Sequence, residues 1–299
     1  MEITELRNKI DAIDDAIIQL FCRRMEISSE IAAYKKDHGL SIQDDTREQE
    51  KLESVAKKST PGMSGYTKSL YQTLFTLSKS YQGKCSITNS ALFQALQNAI
   101  CEEDSLPAEA AVACLEEVQT QSEEAGKQFV RSPRMQAEPA LDDIYTAVEQ
   151  GSCRYGLIPY ENGPDYSMKS VFDKCIRHHL YLVRRLTPDQ DPAVKATSPS
   201  FLCVSKELEI HPHSAKTALV TILPQTPGAL YAVLSRFALL GINIAKMESS
   251  AAAGPNAECV FYFELDLPAD PDQFRALLSE LDSLPNRYWY LGSFCEETL

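Results

Sequence analysis

The sequence predicts a multidomain chain in three parts: an all-α three-helix segment over residues 1–83, an α/β segment over 84–205, and an α+β unit of ferredoxin-like order over 214–299. Three observations carry that division. Residues 1–82 are almost free of strand signals, and their single proline lies in the Pro61-Gly62 turn. Residues 83–200 mix short apolar runs with proline-rich and acidic loops. The last part alternates KTALVTIL, PGALYAVLSRFALLG, INIAKMESS, ECVFYFELDL, DPDQFRALLSELDSL and RYWYLGSF, a β-α-β-β-α-β order.

The helical part opens on an apolar seam. Ile3, Leu6, Ile10, Ile13, Ile17, Leu20, Ile27, Ile31 and Tyr34 step by three and four, and Gly39 stands where a helix C-terminus is closed. One residue interrupts the seam: Arg24, in heptad register with Ile3, Ile10, Ile17 and Ile31. A helix this long outruns the cover its own short domain supplies, so it is expected to pack on a second copy of itself, as a homodimer. Arg24 then points into packed surroundings. It is either the cation of an internal ion pair or a guanidinium waiting for a small-molecule carboxylate, which its bidentate fork suits. Lys35 follows eleven residues later, nearly on the same face and about 16 Å along the axis. Arg7 precedes Arg24 by seventeen residues, about 25 Å, and is turned by roughly 100°, so any site it serves belongs to the other protomer.

The second helix begins at Asp44-Asp45-Thr46-Arg47-Glu48. Asp45 and Glu48 have capping-box spacing, and Arg47 is either a further site cation or a solvated helix-face charge. In SGYTKSLYQTLFTLSKSYQ, Ser78 and Gln82 lie one turn apart on one face.

Composition limits what such a site serves. With 44% hydrophobic and 24% charged residues in 299, the chain reads as soluble and globular. No apolar run reaches the roughly eighteen residues of a membrane span. The MEITELRNKI start has neither the basic nor the apolar region of a signal peptide. Nine cysteines are scattered singly without a CxxC pair, which reads as reduced thiols in a cytoplasm. The formal net charge of −13 argues against nucleic acid and anionic membranes as partners, and marks any cluster of cations as a place for an anion. No cofactor or metal is expected. His178-His179 and His211-Pro-His213 lack a partner at metal-ligand spacing and read as loop residues.

Taken together, L-R-x-x-I-D-x-I-D at Leu6–Asp14, R-R-x-x-x-x-x-x-I-x-x-x-K at Arg23–Lys35, D-x-x-R-E at Asp44–Glu48 and S-x-x-x-Q at Ser78–Gln82 resemble the all-helical chorismate mutases. The likeness is to the mutase domain fused to prephenate dehydratase in bacterial bifunctional P-proteins. It implies a ligand set of Arg7 (from the partner subunit), Arg24, Lys35, Asp44, Arg47, Glu48, Ser78 and Gln82. It also implies the reaction, chorismate to prephenate. That Claisen shift needs no nucleophile, metal or general base; the site has to hold a dianion in its compact conformer and stabilise charge on the ether oxygen. By the resemblance, Arg7 and Arg24 clamp the two carboxylates with help from Ser78. Lys35 and Gln82 donate to the ether oxygen, and Glu48 with Asp44 and Arg47 holds the ring-hydroxyl end. Because Gln82 is a neutral donor, no acid-side loss of rate is expected between pH 5 and 8, a range set by ordinary side-chain titration.

The middle part resembles prephenate dehydratase at Tyr155–Asp173, where Tyr155-Gly156 and Pro159 lead to Glu161-Asn162. It departs from that family at Gly163, where a small hydroxyl residue is expected, and at Pro199-Ser200-Phe201, which stands where the family has Thr-Arg-Phe. Without the threonine hydroxyl and the arginine, acid-assisted dehydration loses its main groups. The span from Gly83 to Phe201 is short as well, as if one lobe were deleted. The Ala-rich stretch 108–113 predicts a helix, and Ala251–Ala253 a loop.

The last part resembles an ACT domain of the phenylalanine-responsive type, through Pro227-Gly228-Ala229-Leu230 and Gly241-Ile242-Asn243 leading to Glu248-Ser249. The resemblance implies phenylalanine as effector, held by Gly228, Ala229, Leu230, Asn243, Glu248 and Ser249. Backbone N–H groups at a glycine-opened helix start suit an amino-acid carboxylate, although Pro-Gly also simply starts helices. The family's Glu-Ser-Arg-Pro is here Glu248-Ser249-Ser250-Ala251, so its second half is lost. The sequence thus predicts a dimeric mutase joined to a dehydratase-like part and a sensor. Two rivals stand beside it: an enzyme with both activities, and a non-catalytic amino-acid sensor.

Overall fold

The computed structural model describes residues 2–38, 45–83, 91–101, 107–160, 167–188, 199–251, 258–268, 270–282 and 287–298. The chain forms two compact units, Met1–Thr88 and Asn89–Leu299.

The first unit holds three helices, α1 (Ile3–Asp37), α2 (Asp45–Lys58) and α3 (Ser64–Gly83). Pro61-Gly62 makes the α2–α3 turn, with Gly62 at φ +86°. Among the described residues of this unit few side chains are deeply buried: Met25 and Ser28 of α1, Val55 of α2 and Ser78 of α3. All four lie where α3 packs against α2 and the C-terminal half of α1. The other half of α1 is uncovered, and every residue from Glu2 to Leu20 is exposed. The apolar seam is therefore bare; Ile13 is 58% exposed and Leu20 68%. The Gly39 helix stop and Asp44 lie outside the described residues.

The second unit is built on one nine-stranded sheet. In chain order its elements are α4 (Ala91–Ala99), β1 (Glu109–Leu115), α5 (Gln119–Phe129), β2 (Ser132–Glu138), α6 (Leu141–Gln150), β3 (Tyr155–Tyr160), α7 (Met168–His178), β4 (Tyr181–Thr187) and β5 (Ser200–Ser205). They continue with β6 (Lys216–Pro224), α8 (Ala229–Leu239), β7 (Asn243–Ala251), β8 (Glu258–Asp266), α9 (Pro271–Asp282) and β9 (Arg287–Thr298). The strand order is β2-β1-β3-β5-β4-β9-β6-β8-β7. β1 runs parallel to both β2 and β3, whereas β5 is antiparallel to β3 and β4. The expected β-α-β-β-α-β order is present from β6 to β9, and its strands lie as β9-β6-β8-β7.

That last part does not stand apart from the α/β part. The C-terminal end of β9 runs parallel to β4, from Arg184 opposite Cys295 to Thr187 opposite Thr298, so one sheet continues through both. α4 also crosses over: Phe93 and Leu96 lie in a core with Phe237 of α8, Phe263 of β8 and Phe274 of α9.

The structure corrects the helix expected over 108–113. Glu109–Leu115 is strand β1, with neighbours on both edges. Ala110, Val112 and Cys114 face Ala125 and Phe129 of α5, and Ala113 and Leu115 face Ile144 and Tyr145 of α6. Alanine's helix preference is a few tenths of a kcal/mol per residue, on the order of 0.5 against Val. Burial on both faces outweighs it, and small side chains let both helices approach. The same close approach explains Gly156 on β3, where a Cβ would lie 2.8 Å from Ile144 Cγ2. Ala251, expected in a loop, is the last residue of β7 and pairs with Cys259.

Candidate active site

Arg24 sits on the buried side of α1, half-exposed, one turn before Ser28. Its Nη1 donates to the Leu74 carbonyl at 3.1 Å and to the Ser78 hydroxyl, and the guanidinium lies 6.0 Å from the Phe75 ring centre. Ser28 Oγ donates to the Arg24 carbonyl at 2.9 Å, and Ser78 Oγ is also within 2.7 Å of the Leu74 carbonyl. Among the described residues Arg24 has no carboxylate partner. Burial lowers the Arg24 pKa, opposed by the nearby Tyr71 phenol. The group stays cationic all the same, because a guanidinium starts far above neutrality.

Around it lies a cavity of about 420 Å³, lined by all three helices. α1 contributes Arg24, Ser28, Ile31 and Lys35, residues at i, i+4, i+7 and i+11 that share one face. Arg47, Glu48, Glu50, Lys51 and Ser54 come from α2, and Phe75, Ser78 and Lys79 from α3. Five cations meet two carboxylates there, in a chain whose formal net charge is −13. A concave, part-apolar site with excess positive charge is suited to a small anion, and to a dianion above all.

Of the residues expected to form a site, Arg24, Lys35, Arg47, Glu48 and Ser78 line this one cavity. Arg7 does not: it lies on the exposed first half of α1. Gln82 is on the last turn of α3, but its side chain lies outside the described residues, as does Asp44. The Glu48 carboxylate turns to Lys79, Nζ to Oε1 at 2.8 Å and to Oε2 at 3.0 Å. Lys79 carries no motif signal; only its place next to Ser78, on a helix already linked to ligand binding, points to it. Lys51 was equally silent, and its Nζ lies 5.7 Å from the Tyr71 ring centre.

In the second unit the residues expected to hold an effector lie at the start of α8 and along the edge strand β7. Gly228, at φ +90°, is the N-cap of α8, with Ala229 and Leu230 half-buried behind it. Asn243 Nδ2 donates to Asp266 Oδ2 at 2.6 Å, and Glu248 Oε2 accepts the Lys169 backbone N–H of α7 at 3.1 Å. Ser249 is exposed. Of the dehydratase-like segment, Glu161, Asn162 and Gly163 lie outside the described residues. Phe201 is fully buried, and Ser200 pairs with Tyr160 across the β3–β5 ladder. Among the described residues no three or more His, Cys, Asp or Glu side chains are grouped to hold a metal, and no helix is long and apolar enough to cross a membrane.

Residues 6–83 match the family model of chorismate mutase type II. Over 212 residues the chain is 26% identical to the bifunctional chorismate mutase/prephenate dehydratase of Escherichia coli (strain K12), covering 69% of this chain and 52% of that protein. The protein of the same description from Shigella flexneri aligns to the same extent. The chain therefore spans about half the length of the curated relatives it matches. Among solved structures, prephenate dehydratase from Streptococcus mutans superposes with a TM-score of 0.52 at 21% identity, covering 64% of this chain and all of that one. At that identity the likeness is one of fold.

Proposed function

We propose that this chain converts chorismate to prephenate in aromatic amino-acid biosynthesis, in the cavity that α1, α2 and α3 line. The observation that carries the proposal is Arg24, a half-buried cation held by two neutral acceptors and facing a cavity rich in further cations. A core ion pair would have placed a carboxylate there. The reaction asks for what this cavity offers: fixed positive charge for two carboxylates, with no cofactor and no proton transfer. Lys35 lies along the same face of α1 and donates, with Gln82, to the ether oxygen. Glu48 faces the ring hydroxyl, beside Asp44 and Arg47.

The active form is a homodimer in which a second copy supplies Arg7. Support comes from the bare seam of α1, since an isolated amphipathic helix with its apolar stripe in water is marginal. A second copy would cover the stripe and bring Arg7 to a cavity it does not reach in its own chain. The C-terminal β-α-β-β-α-β part is an ACT domain that answers to phenylalanine; its support is the pair of motifs at Gly228–Leu230 and Asn243–Ser249. The protein acts in the cytoplasm, without nucleic acid or membrane partners.

The similarity to bifunctional relatives favours a second reading, in which prephenate is also dehydrated. The replaced Thr-Arg pair at Pro199-Ser200 weighs against it. One assay separates the two. Purified protein is supplied with chorismate between pH 5 and 8, with and without phenylalanine, and both prephenate and phenylpyruvate are followed. Prephenate is expected to accumulate at a rate with no acid-side fall. Phenylpyruvate formed at an enzymatic rate would establish the second reading, and no loss of chorismate would remove both.

A further inference from the structure

Lys79 stands outside every motif of the helical segment, yet its ammonium group contacts both oxygens of Glu48, at 2.8 and 3.0 Å. Both side chains are largely withdrawn from water, 19% and 28% exposed. The preceding residue, Ser78, accepts from Arg24. Two consecutive residues of α3 thus hold oppositely charged groups of the cavity: Ser78 the Arg24 guanidinium of α1, Lys79 the Glu48 carboxylate of α2. Successive helix positions are turned by about 100°, which is how one turn of α3 reaches both neighbouring helices.

We propose that Lys79 is a positioning residue for the mutase reaction: its bidentate contact fixes the Glu48 carboxylate, and so the ring-hydroxyl end of the substrate. The inference rests on the function proposed above. A glutamate on the first turns of a helix has three free torsions and, facing the Arg47 and Lys51 also on this wall, more than one cation to turn to. Charge-assisted bonds to both oxygens select one orientation before the substrate arrives, when an unconstrained carboxylate would have to be ordered at binding. Preorganisation of this kind is what a reaction without acid–base chemistry depends on. A plain staple between α2 and α3 is the competing role, and it would show in stability rather than in rate.

The test uses the full chain with Lys79→Ala, Lys79→Arg, Glu48→Gln and the double variant Lys79→Ala/Glu48→Gln, each assayed for kcat and KM with chorismate and for helix content and thermal midpoint. Lys79→Ala is expected to lower kcat/KM about tenfold with kcat carrying part of the loss, and Lys79→Arg to restore most of it. On the Glu48→Gln background the alanine change should add little, because the lysine acts through that carboxylate. Wild-type kinetics in Lys79→Ala, a loss that adds fully to that of Glu48→Gln, or a lowered thermal midpoint with unchanged kinetics each overturns the proposal. If the wild-type chain itself leaves chorismate untouched, the function above fails separately. The contact is then read by NMR as a protected Lys79 ammonium resonance that disappears in Glu48→Gln; its absence from the wild-type spectrum overturns the positioning role as well.

Discussion

Arg24 shows how one residue is read differently in sequence and in structure. In sequence it is a charge in a seam of isoleucines, and an ion pair or a ligand site would account for it equally. Among the described residues it faces a carbonyl, a hydroxyl and a phenyl ring, all neutral, which favours the ligand site proposed above. A half-buried guanidinium without a carboxylate costs stability, since burial penalises its charged form. Replacing it by Met, which has similar reach and no charge, is therefore expected to leave the thermal midpoint unchanged or higher while turnover falls by roughly 100-fold or more, the scale for removing one preorganised donor. Circular dichroism melting beside a chorismate assay reads both. A variant that unfolds would return Arg24 to a structural role.

Among the elements, β9 decides most about the second unit. Arg287–Phe294 pair with β6 and Cys295–Thr298 with β4, and Gly292 lies where the β6 pairing shifts register, just before that change of partner. That glycine has φ +130°, and a Cβ there would stand 2.2 Å from the Leu182 carbonyl oxygen of β4. Both facts exclude a side chain: the backbone conformation is one L residues avoid, and the neighbouring strand fills the space. Gly292→Ala is expected to cost roughly 2 kcal/mol or more. Hydrogen exchange should rise along β4 and the end of β9 before it rises in β8. If the loss were spread evenly over the sheet, the strand junction would not be where the strain falls. The helical unit should be unaffected.

At the scale of the whole molecule, the proposed pairing of two copies decides where the active site lies. α1 is about 52 Å long from its 35 residues, and every described residue of its first half, from Ile3 to Leu20, is exposed. If two copies pair along it and exchange Arg7, the active site belongs to the pair. Arg7→Ala and Arg24→Ala chains, each inactive alone, should then regain about a quarter of wild-type activity when unfolded and refolded together, because in a mixed dimer one of two sites has both arginines. No recovery from verified mixed dimers would place Arg7 outside the site. Ile13→Asp should separate the copies and abolish turnover with them, which sedimentation and the same assay would show.

Some of this was legible in the residues. Periodicity marked the three helices, the interruption at Arg24 and the β-α-β-β-α-β order, because amphipathic spacing and turn chemistry are local properties of a chain. Residue type and spacing likewise singled out Lys35, Arg47, Glu48 and Ser78, which line one cavity. What depends on neighbours far along the chain was not legible. Ala108–Ala113 holds a strand's worth of burial on two faces, which composition cannot express. The joining of β4 to β9 brings together Arg184 and Cys295, which are 111 positions apart in the chain. Lys79, an ordinary surface-type residue by sequence, became part of the site only when α3 brought it to Glu48. Local pattern determined which elements form and which charges are unusual; tertiary contact determined which charges meet, because a pair of side chains has no signature until the fold sets the distance between them.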